Sequence, residues 1–234
     1  MLHTTRAVVL RLIKYGDKSV VLHAYTEEFG ARSYMLRPAR KGKPIGLGPL
    51  ERVELVVAED ARRDLHHVRE FRVERPYLQI PGQPARGLVL LFMQEVCCRT
   101  LKEEAGDPEL FSFVQSQLEE LDSTDDLPHY PLFLLARMAR QFGFLPAPPR
   151  PGEDCFDLRE GSFFNGTCGH GEFLGKSEAS AFAALLKAEA SRTPLQLSAI
   201  QRTALLEGLL DFFRLHVPGF GQLKSPAVLH AVLG

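Results

Sequence analysis

The chain has few cysteines and no long apolar run, and each of these absences excludes a class of protein. Its 234 residues include only four cysteines, too few for a disulfide framework in a chain of this size. No apolar stretch approaches the roughly 18 residues that a membrane-spanning helix needs, and no apolar block of a secretory signal follows the first residues. We therefore expect a globular protein of the reducing cytoplasm.

The sequence also lacks a recognisable catalytic motif. No serine, cysteine or lysine nucleophile stands at motif spacing from a base and an orienting group. His66 and His67 are neighbours on a predicted strand, so their rings face opposite sides and cannot share a metal ion. We therefore expect that the protein is not an enzyme.

Positive charge is concentrated near the amino end. The whole chain has a net charge of −1, but its first 44 residues contain nine Lys or Arg and only three acidic residues. Residues 1–80 contain 15 basic and 10 acidic side chains, against 13 and 19 in residues 81–234. This contrast predicts two modules with different partners and favours a polyanion as the partner of the first. The alternative, an ordinary solvated sheet face, stays open.

Five runs with period-two alternation predict five strands within the first 75 residues. These runs are 6–14, 18–26, 31–37, 50–59 and 65–75, and a loop rich in glycine, proline and basic residues follows the third. An antiparallel sheet of this length closes most often as a Greek-key barrel, the OB fold. A small SH3-like barrel is the alternative.

Proline and glycine between residues 76 and 84 end the strand pattern, and the period then changes to about 3.6. The predicted fold class is therefore α+β with two domains. Residues 1–80 form a five-stranded OB-fold β-barrel, and residues 81–234 form a mainly α-helical domain. An irregular proline-rich segment with a small β-hairpin is expected at about 145–175, where Cys155 to Thr167 contains two short apolar runs around Glu160-Gly161.

Capping residues mark three predicted helix starts. Asp107-Pro108 has the residue types of an N-cap and a first helical position. Ser177 is expected to cap a helix through Glu189, and Ser198 with Gln201 three residues on predicts a capping box for a long helix.

Cys155, Cys168 and His170 are candidate metal ligands with incomplete spacing. A structural zinc site usually shows two paired short spacings, whereas this sequence has a single Cys-Gly-His. We therefore expect no metal and no cofactor, and zinc bound by these residues is the alternative.

Aromatic and basic residues are interleaved in the predicted barrel, as in proteins that stack single-stranded bases beside a cationic groove. Tyr15, at a loop tip, is expected to be exposed, and Phe29, before a turn glycine, is expected to be core. The candidate DNA-binding residues are Arg6, Arg11, Lys14, Tyr15, Lys18, Arg32, Tyr34, Arg37, Arg40, Lys41 and Lys43.

Several distinctive segments follow one another along nearly the whole chain: 5–11 with 15–19, 25–30, 40–43, 143–146, 156–161 and 220–229. In residues and in order, these segments resemble the RecO family of bacterial recombination mediators in DNA repair. The resemblance implies an OB domain followed by a helical domain, binding of single- and double-stranded DNA, and annealing of complementary strands. It also implies a role, together with RecR, in placing RecA on DNA coated by single-strand-binding protein (SSB).

Two expectations for the second domain follow from this resemblance. Some members of the family carry a four-cysteine zinc module there, but this sequence has only Cys155 and Cys168 in the region, so the metal is not carried over. The helical domain is expected to receive the acidic, apolar C-terminal tail of SSB, with Arg137 and Arg140 as candidates for its carboxylates. The resemblance also implies a nucleoid-associated cytoplasmic protein.

Two alternative functions stay open: an adaptor whose barrel binds protein, and an enzyme that uses Cys168, His170 and zinc.

Overall fold

The computed structural model describes residues 2–15, 19–36, 46–58, 64–102 and 105–233, with side chains as far as His230. Five strands come first: β1 (Leu2–Tyr15), β2 (Ser19–Thr26), β3 (Gly30–Leu36), β4 (Arg52–Ala58) and β5 (Leu65–Val73). A 3-10 turn (Ile80–Gly82) and three helices follow: α1 (Pro84–Thr100), α2 (Pro108–Ser123) and α3 (Tyr130–Gln141). The remaining elements are β6 (Cys155–Asp157), β7 (Ser162–Phe164), β8 (Phe173–Leu174), α4 (Lys176–Ser191), α5 (Ala199–His216) and α6 (Pro226–Leu233). Within these described ranges, no helix is both long enough and apolar enough to cross a membrane.

The first five strands close into a barrel in the order β1-β2-β3-β5-β4. β1 pairs antiparallel with both β2 and β4, whereas β3 and β5 run parallel. This is the Greek-key order of an OB fold and not the order of an SH3-like barrel. The predicted five-stranded barrel is therefore confirmed, and its closure leaves no unpaired sheet edge.

Inward-facing side chains from alternate strand positions fill the barrel. They are Ala7, Val9, Leu22, Ala24, Tyr34, Leu36, Leu47, Val53, Leu55 and Val57. Phe29 packs against this core, as predicted from its place before Gly30, whose φ is 67°. Each large apolar side chain buried here contributes roughly 1.5 to 3 kcal/mol to folding, so the interior is the main stabilising feature of the barrel.

α1 and α2 cover part of the barrel's outer surface. Gln94 on α1 donates a side-chain hydrogen bond to the Leu10 carbonyl at 2.7 Å. Phe111 on α2 packs on Tyr25, with 6.2 Å between ring centroids. Arg86 joins the two helices by donating to a carbonyl of α2 at 2.6 Å. The outer surface near Leu10 and Tyr25 is therefore closed to any ligand.

The later helices pack around a small three-stranded sheet in which β6 pairs with both β7 and β8. Phe156 of β6 lies 5.0 Å from Phe182 of α4 and 5.4 Å from Phe212 of α5, measured between ring centroids. Gly208 lets α5 approach β8, because a Cβ atom there would lie 2.5 Å from Leu174 Cδ2. The predicted hairpin is thus confirmed, and the two-residue β8 is an addition to it.

Helix starts follow the sequence signals at two places and differ at a third. Ser198 and Gln201 form the expected capping box of α5, and Asp107 accepts a backbone hydrogen bond at the start of α2. The prediction that Ser177 caps α4 is wrong, since that helix already begins at Lys176. Gly175 occupies the N-cap position with an extended backbone, and it has no side chain that could cap the helix.

The chain divides into two compact units, Met1–Ser123 and Thr124–Gly234. α1 and α2 therefore belong to the same compact unit as the barrel that they cover. The domain boundary predicted at residue 80 marks a different property, the change in hydrophobic period along the chain. It stays a prediction.

Candidate nucleic-acid interface

Strand register determines which side chains of β1, β2 and β3 point out of the barrel. Leu22 of β2 pairs with Leu12 and with Tyr34, and all three point inward. The neighbouring positions must therefore point outward, because side chains alternate along a strand. We call this outward set the β1–β3 face. It consists of Arg11, Ile13, Tyr15, Val21, His23, Ser33 and Met35.

The β1–β3 face combines an aromatic, a cationic and an apolar surface. Tyr15 is 63% exposed and Ile13 is 41% exposed, and Arg11 is exposed beside them. His23 accepts or donates a 3.0 Å hydrogen bond with Ser33 across the β2–β3 pair. The predicted exposure of Tyr15 is confirmed. A flat base can stack on such a ring while a cation nearby contacts the phosphate.

Lys14 lies at the end of the barrel but on the other side of β1 from Arg11 and Tyr15. It is exposed there, and it pairs with Val20, which in turn pairs with Leu36 of the barrel core. The ends of β1, β2 and β3 therefore meet at one end of the barrel. Segments 16–18 and 37–45 follow these strand ends in the sequence. The candidate residues on these segments, which lie outside the described residues, are Lys18, Arg37, Arg40, Lys41 and Lys43.

Arg6 lies away from this group, near the other end of β1. Its guanidinium forms an ion pair with Glu27, with Nε donating to Oε2 at 2.7 Å, and lies 5.4 Å from the Phe111 ring centroid. The hydrogen bond with Arg6 holds the pKa of Glu27 below its ordinary value, although burial opposes this. The structure thus does not bring Arg6 together with Arg11 of the β1–β3 face.

Tyr34 and Arg32 also lie away from the exposed surface. Tyr34 is 0% exposed and belongs to the barrel core, so its assignment as a base-stacking residue is wrong. Alternation along a strand could not show this, because either face of β3 could have been the inner one. Arg32 shares the inward side of β3, is half-buried, and donates to the Ala31 carbonyl at 3.0 Å.

A groove beside the parallel β3–β5 pair was not foreseen from the sequence. It has a volume of about 750 Å³ and is lined by Met35, Leu36, Ala58, His67, Val68, Arg69, Glu70 and Phe71. His67 and Arg69 are exposed there. The β5 pattern predicted a strand, but only the parallel pairing with β3 places His67 beside Met35 of the β1–β3 face.

In the second unit, Arg137 and Arg140 converge on a single carboxylate. Both α3 side chains bond to Glu189 of α4, through Arg137 Nε at 2.9 Å and Arg140 Nη1 at 2.9 Å. Arg137 also lies over the Phe133 ring at 5.4 Å. An acidic partner at this position would share two arginines with a carboxylate that already holds them.

The three candidate metal ligands separate into two environments. Cys155 is buried, and its thiol donates to Asp154 at 3.6 Å. Burial, followed by the neighbouring Asp154, raises the pKa of this thiol. Cys168 and His170 instead lie close to Asp157, and their donor atoms form one group within 4.8 Å. A four-cysteine module does not fit these residues, because the region has only two cysteines and they do not converge.

The two carboxylates beside His170 belong to Asp157 and Glu172. Burial would raise the pKa of Asp157, but hydrogen bonds donated by the backbone amides of Glu160 and Arg159 outweigh the effect of burial. The pKa therefore lies below its ordinary value. Glu172 is likewise more acidic than usual, chiefly because Arg159 donates a hydrogen bond to it. Both carboxylates beside His170 are therefore anionic at neutral pH.

Comparisons with family models and with known proteins all point to the same family. The family model "Recombination protein O N terminal" matches residues 1–77, and "Recombination protein O C terminal" matches residues 82–226. Proteins named DNA repair protein RecO are similar over nearly their full length. The one from Phocaeicola vulgatus is 29% identical over 98% of both chains, and the one from Azobacteroides pseudotrichonymphae is 27% identical over 99% of both. The RecO protein of Christiangramia forsetii is 28% identical over 100% of both chains. Two family models that together cover most of the chain show that it belongs to the RecO family of DNA repair proteins.

Proposed function

We propose that this chain is a non-enzymatic recombination mediator that binds single- and double-stranded DNA through the β1–β3 face and the segments 16–18 and 37–45, which follow β1 and β3 in the sequence. One observation carries the proposal. Arg11 and Tyr15 are exposed on the same outer face, at the barrel end that segments 16–18 and 37–45 adjoin. α1 and α2 cover the outer surface farther along β1, so the path lies over β1, β2 and β3.

Phosphate neutralisation supplies the affinity. Each lysine or arginine that contacts a phosphate releases condensed counterions, so log K falls with log salt by about 0.9 per contact on duplex and about 0.7 on single strands. Such contacts carry no sequence information, so binding is indifferent to sequence. Tyr15 adds stacking on bases that are already unpaired.

Annealing follows from the same arrangement. A strand held by its phosphates keeps its base edges free, and bound cations screen the repulsion between two such strands. Base pairing and stacking then supply the driving force. A protein that binds DNA in this way assists annealing without a catalytic group, a cofactor or a nucleotide.

The second unit is the proposed surface for protein partners, namely RecR and the SSB tail, and through them RecA. Arg137 and Arg140 are the candidates for the carboxylates of that tail. Because both bond to Glu189, the tail would have to compete with this side chain or add to the pair. A cytoplasmic, nucleoid-associated location belongs to the same proposal.

Fluorescence anisotropy with labelled single- and double-stranded oligonucleotides tests the DNA-binding proposal. We expect both to bind at low salt, unlabelled oligonucleotides of unrelated sequence to compete equally, and complementary strands to anneal faster with the protein than without it. Absence of binding to either oligonucleotide at 10 to 20 mM salt, where electrostatic contacts are strongest, would reject the proposal and favour a barrel that binds protein.

A separate titration tests the partner surface. A labelled peptide with an acidic, apolar C-terminus is expected to bind, and Arg140→Ala is expected to weaken it at least about threefold, the loss of one exposed ion pair. Arg150→Ala removes an exposed cation that forms no ion pair with any residue the structure describes, and it serves as the control. Equal affinities of the two variants would remove Arg140 from the surface.

A further inference from the structure

Three side chains of types that can ligate a metal meet at the edge of the small sheet in the second unit. Asp157 is the last residue of β6, whereas Cys168 and His170 come from the connection between β7 and β8. All three are half-buried. The sequence separates Asp157 from Cys168 by a whole hairpin, so only the fold brings their donor atoms together.

The separations of the donor atoms match those of ligands around one tetrahedral ion. Cys168 Sγ lies 3.7 Å from Asp157 Oδ2 and 3.4 Å from His170 Nε2, and that nitrogen lies 3.2 Å from the same carboxylate oxygen. Zinc bound at about 2.3 Å to sulfur and about 2.0 Å to nitrogen and oxygen holds its ligands roughly 3.3 to 3.6 Å apart. Each observed separation agrees to within about 0.2 Å. His170 Nδ1 lies 3.5 Å from the thiol, almost as close as Nε2, so the ring would rotate slightly to direct Nε2 at a shared ion.

Neighbouring groups already orient two of the three ligands. Asp157 Oδ1 accepts backbone hydrogen bonds from Arg159 at 2.8 Å and Glu160 at 3.0 Å, which directs Oδ2 toward Cys168 and His170. The other ring nitrogen of His170, Nδ1, lies 3.5 Å from Glu172 Oε2, and that oxygen is itself held by Arg159 at 2.8 Å. A carboxylate behind a histidine is the usual support of a zinc ligand.

We propose that Asp157, Cys168 and His170 bind one zinc ion, with a water molecule as the fourth ligand and Glu172 orienting His170. Cys155 is not a ligand, because its thiol bonds to Asp154 and its donor atom lies outside the group. Thiolate, imidazole and carboxylate are the donor types that zinc takes in proteins. This site uses different ligands from a four-cysteine module, and it is independent of DNA binding by the barrel.

Bound zinc would fasten an otherwise weakly held connection. β8 has only two residues, and the chain between β7 and β8 has no other regular structure. An ion that joins Asp157 to Cys168 and His170 would close this connection onto β6, which packs against α4 and α5 through Phe156. The free energy of metal binding would then stabilise the fold of the small sheet.

Metal content tests the proposal directly. Untagged full-length protein, dialysed against metal-free buffer, is expected to retain about one zinc per chain by mass spectrometry, as for a site with three protein ligands. Cys168→Ser and His170→Ala are expected to retain at least about tenfold less. Cys98→Ser is the matched control, because Cys98 is a half-buried cysteine of the barrel unit, and it is expected to keep the ion. Zinc retained in full by Cys168→Ser would overturn the assignment.

Cobalt substitution identifies the ligands, and it can detect the site even if zinc is lost during dialysis. Cobalt added to the metal-free full chain is expected to give tetrahedral d–d bands and a thiolate-to-cobalt charge-transfer band, and the latter is expected to be absent in Cys168→Ser. Glu172→Gln is expected to weaken cobalt binding about 10- to 100-fold while keeping the band. A wild-type protein that shows no thiolate band at saturating cobalt would reject the site.

A measurement on the wild-type protein tests the proposal even if the variants fail to fold. Treating the wild-type protein with a chelator is expected to lower its melting temperature, and equimolar zinc is expected to restore it. An unchanged melting curve after complete removal of the metal would overturn the stabilising role.

Discussion

Asp122 on α2 accepts a hydrogen bond from the backbone amide of Ile80 at 3.0 Å. The same carboxylate accepts hydrogen bonds from the backbone amides of Leu78 at 2.7 Å and Gln79 at 2.9 Å. These three amides belong to the segment that leads from the barrel to α1, so one side chain satisfies the backbone donors at the start of the 3-10 turn Ile80–Gly82. Asp122 is 8% exposed.

Asp122 is expected to make stability depend on acid pH. Burial raises the pKa of its carboxyl, but the three amide hydrogen bonds outweigh burial and leave the pKa below the ordinary value. The stabilisation is therefore complete above the unfolded-state pKa of about 3.9 and is lost as pH falls through the lower, folded-state pKa. Asp122→Asn is expected to cost about 2 kcal/mol at pH 7 and to flatten the acid limb of the profile, measured by urea unfolding from pH 2 to 7. A variant as stable as the wild type at pH 7 would contradict this.

Gly106 is expected to tolerate no side chain. A Cβ atom there would lie 2.2 Å from the Glu28 carbonyl oxygen and 2.7 Å from that of Glu27, both backbone atoms of the β2–β3 turn. Gly106→Ala is therefore expected to destabilise the protein by at least about 1 to 3 kcal/mol in chemical unfolding. Gly87→Ala is the control, since Gly87 lies in α1 with no atom within 4 Å of a Cβ, and it is expected to stabilise by about 0.5 to 1 kcal/mol. Equal stability of the two variants would refute the close approach.

The basic segment after β3 is expected to account for part of the salt dependence of DNA binding. Changing Arg40, Lys41 and Lys43 together to Ala removes up to three phosphate contacts, so the log–log salt slope is expected to shrink by about one to three units. Anisotropy titrations at four salt concentrations measure this slope. A triple variant with the same loss of charge in the second unit, Arg150→Ala, Lys187→Ala and Arg192→Ala, is expected to leave the slope unchanged. An unaltered slope in the first variant would remove this segment from the interface.

Tyr15 is expected to act on single strands in particular. Tyr15→Ala is expected to weaken binding of a single-stranded oligonucleotide by about 1 to 3 kcal/mol, because one stacking contact is lost, and to change duplex binding little. Tyr15→Phe keeps the ring and is expected to bind as the wild type does. If Tyr15→Ala and Tyr15→Phe lose affinity equally, the hydroxyl and not the stacking surface is responsible.

The sequence predicted local features well where one residue type determines one conformation. The glycine at position 30 marked a turn with positive φ, and the Ser198-Gln201 capping box marked the start of α5. The prediction that Ser177 caps α4 was wrong because a serine near a helix start is a cap only if the helix begins directly after it. β8 could not be predicted, because two residues carry no period.

By itself the sequence determined the barrel, the helices, the family and the concentration of positive charge near the amino end, since strand alternation, helical period and charge are local properties. Only the tertiary structure decided which side of each strand faces the core. It buried Tyr34, paired Arg6 with Glu27 and left Arg11 and Tyr15 exposed. It also brought Asp157 to Cys168 and His170, because contact between residues distant in the chain depends on how the strands pair and not on spacing in the sequence.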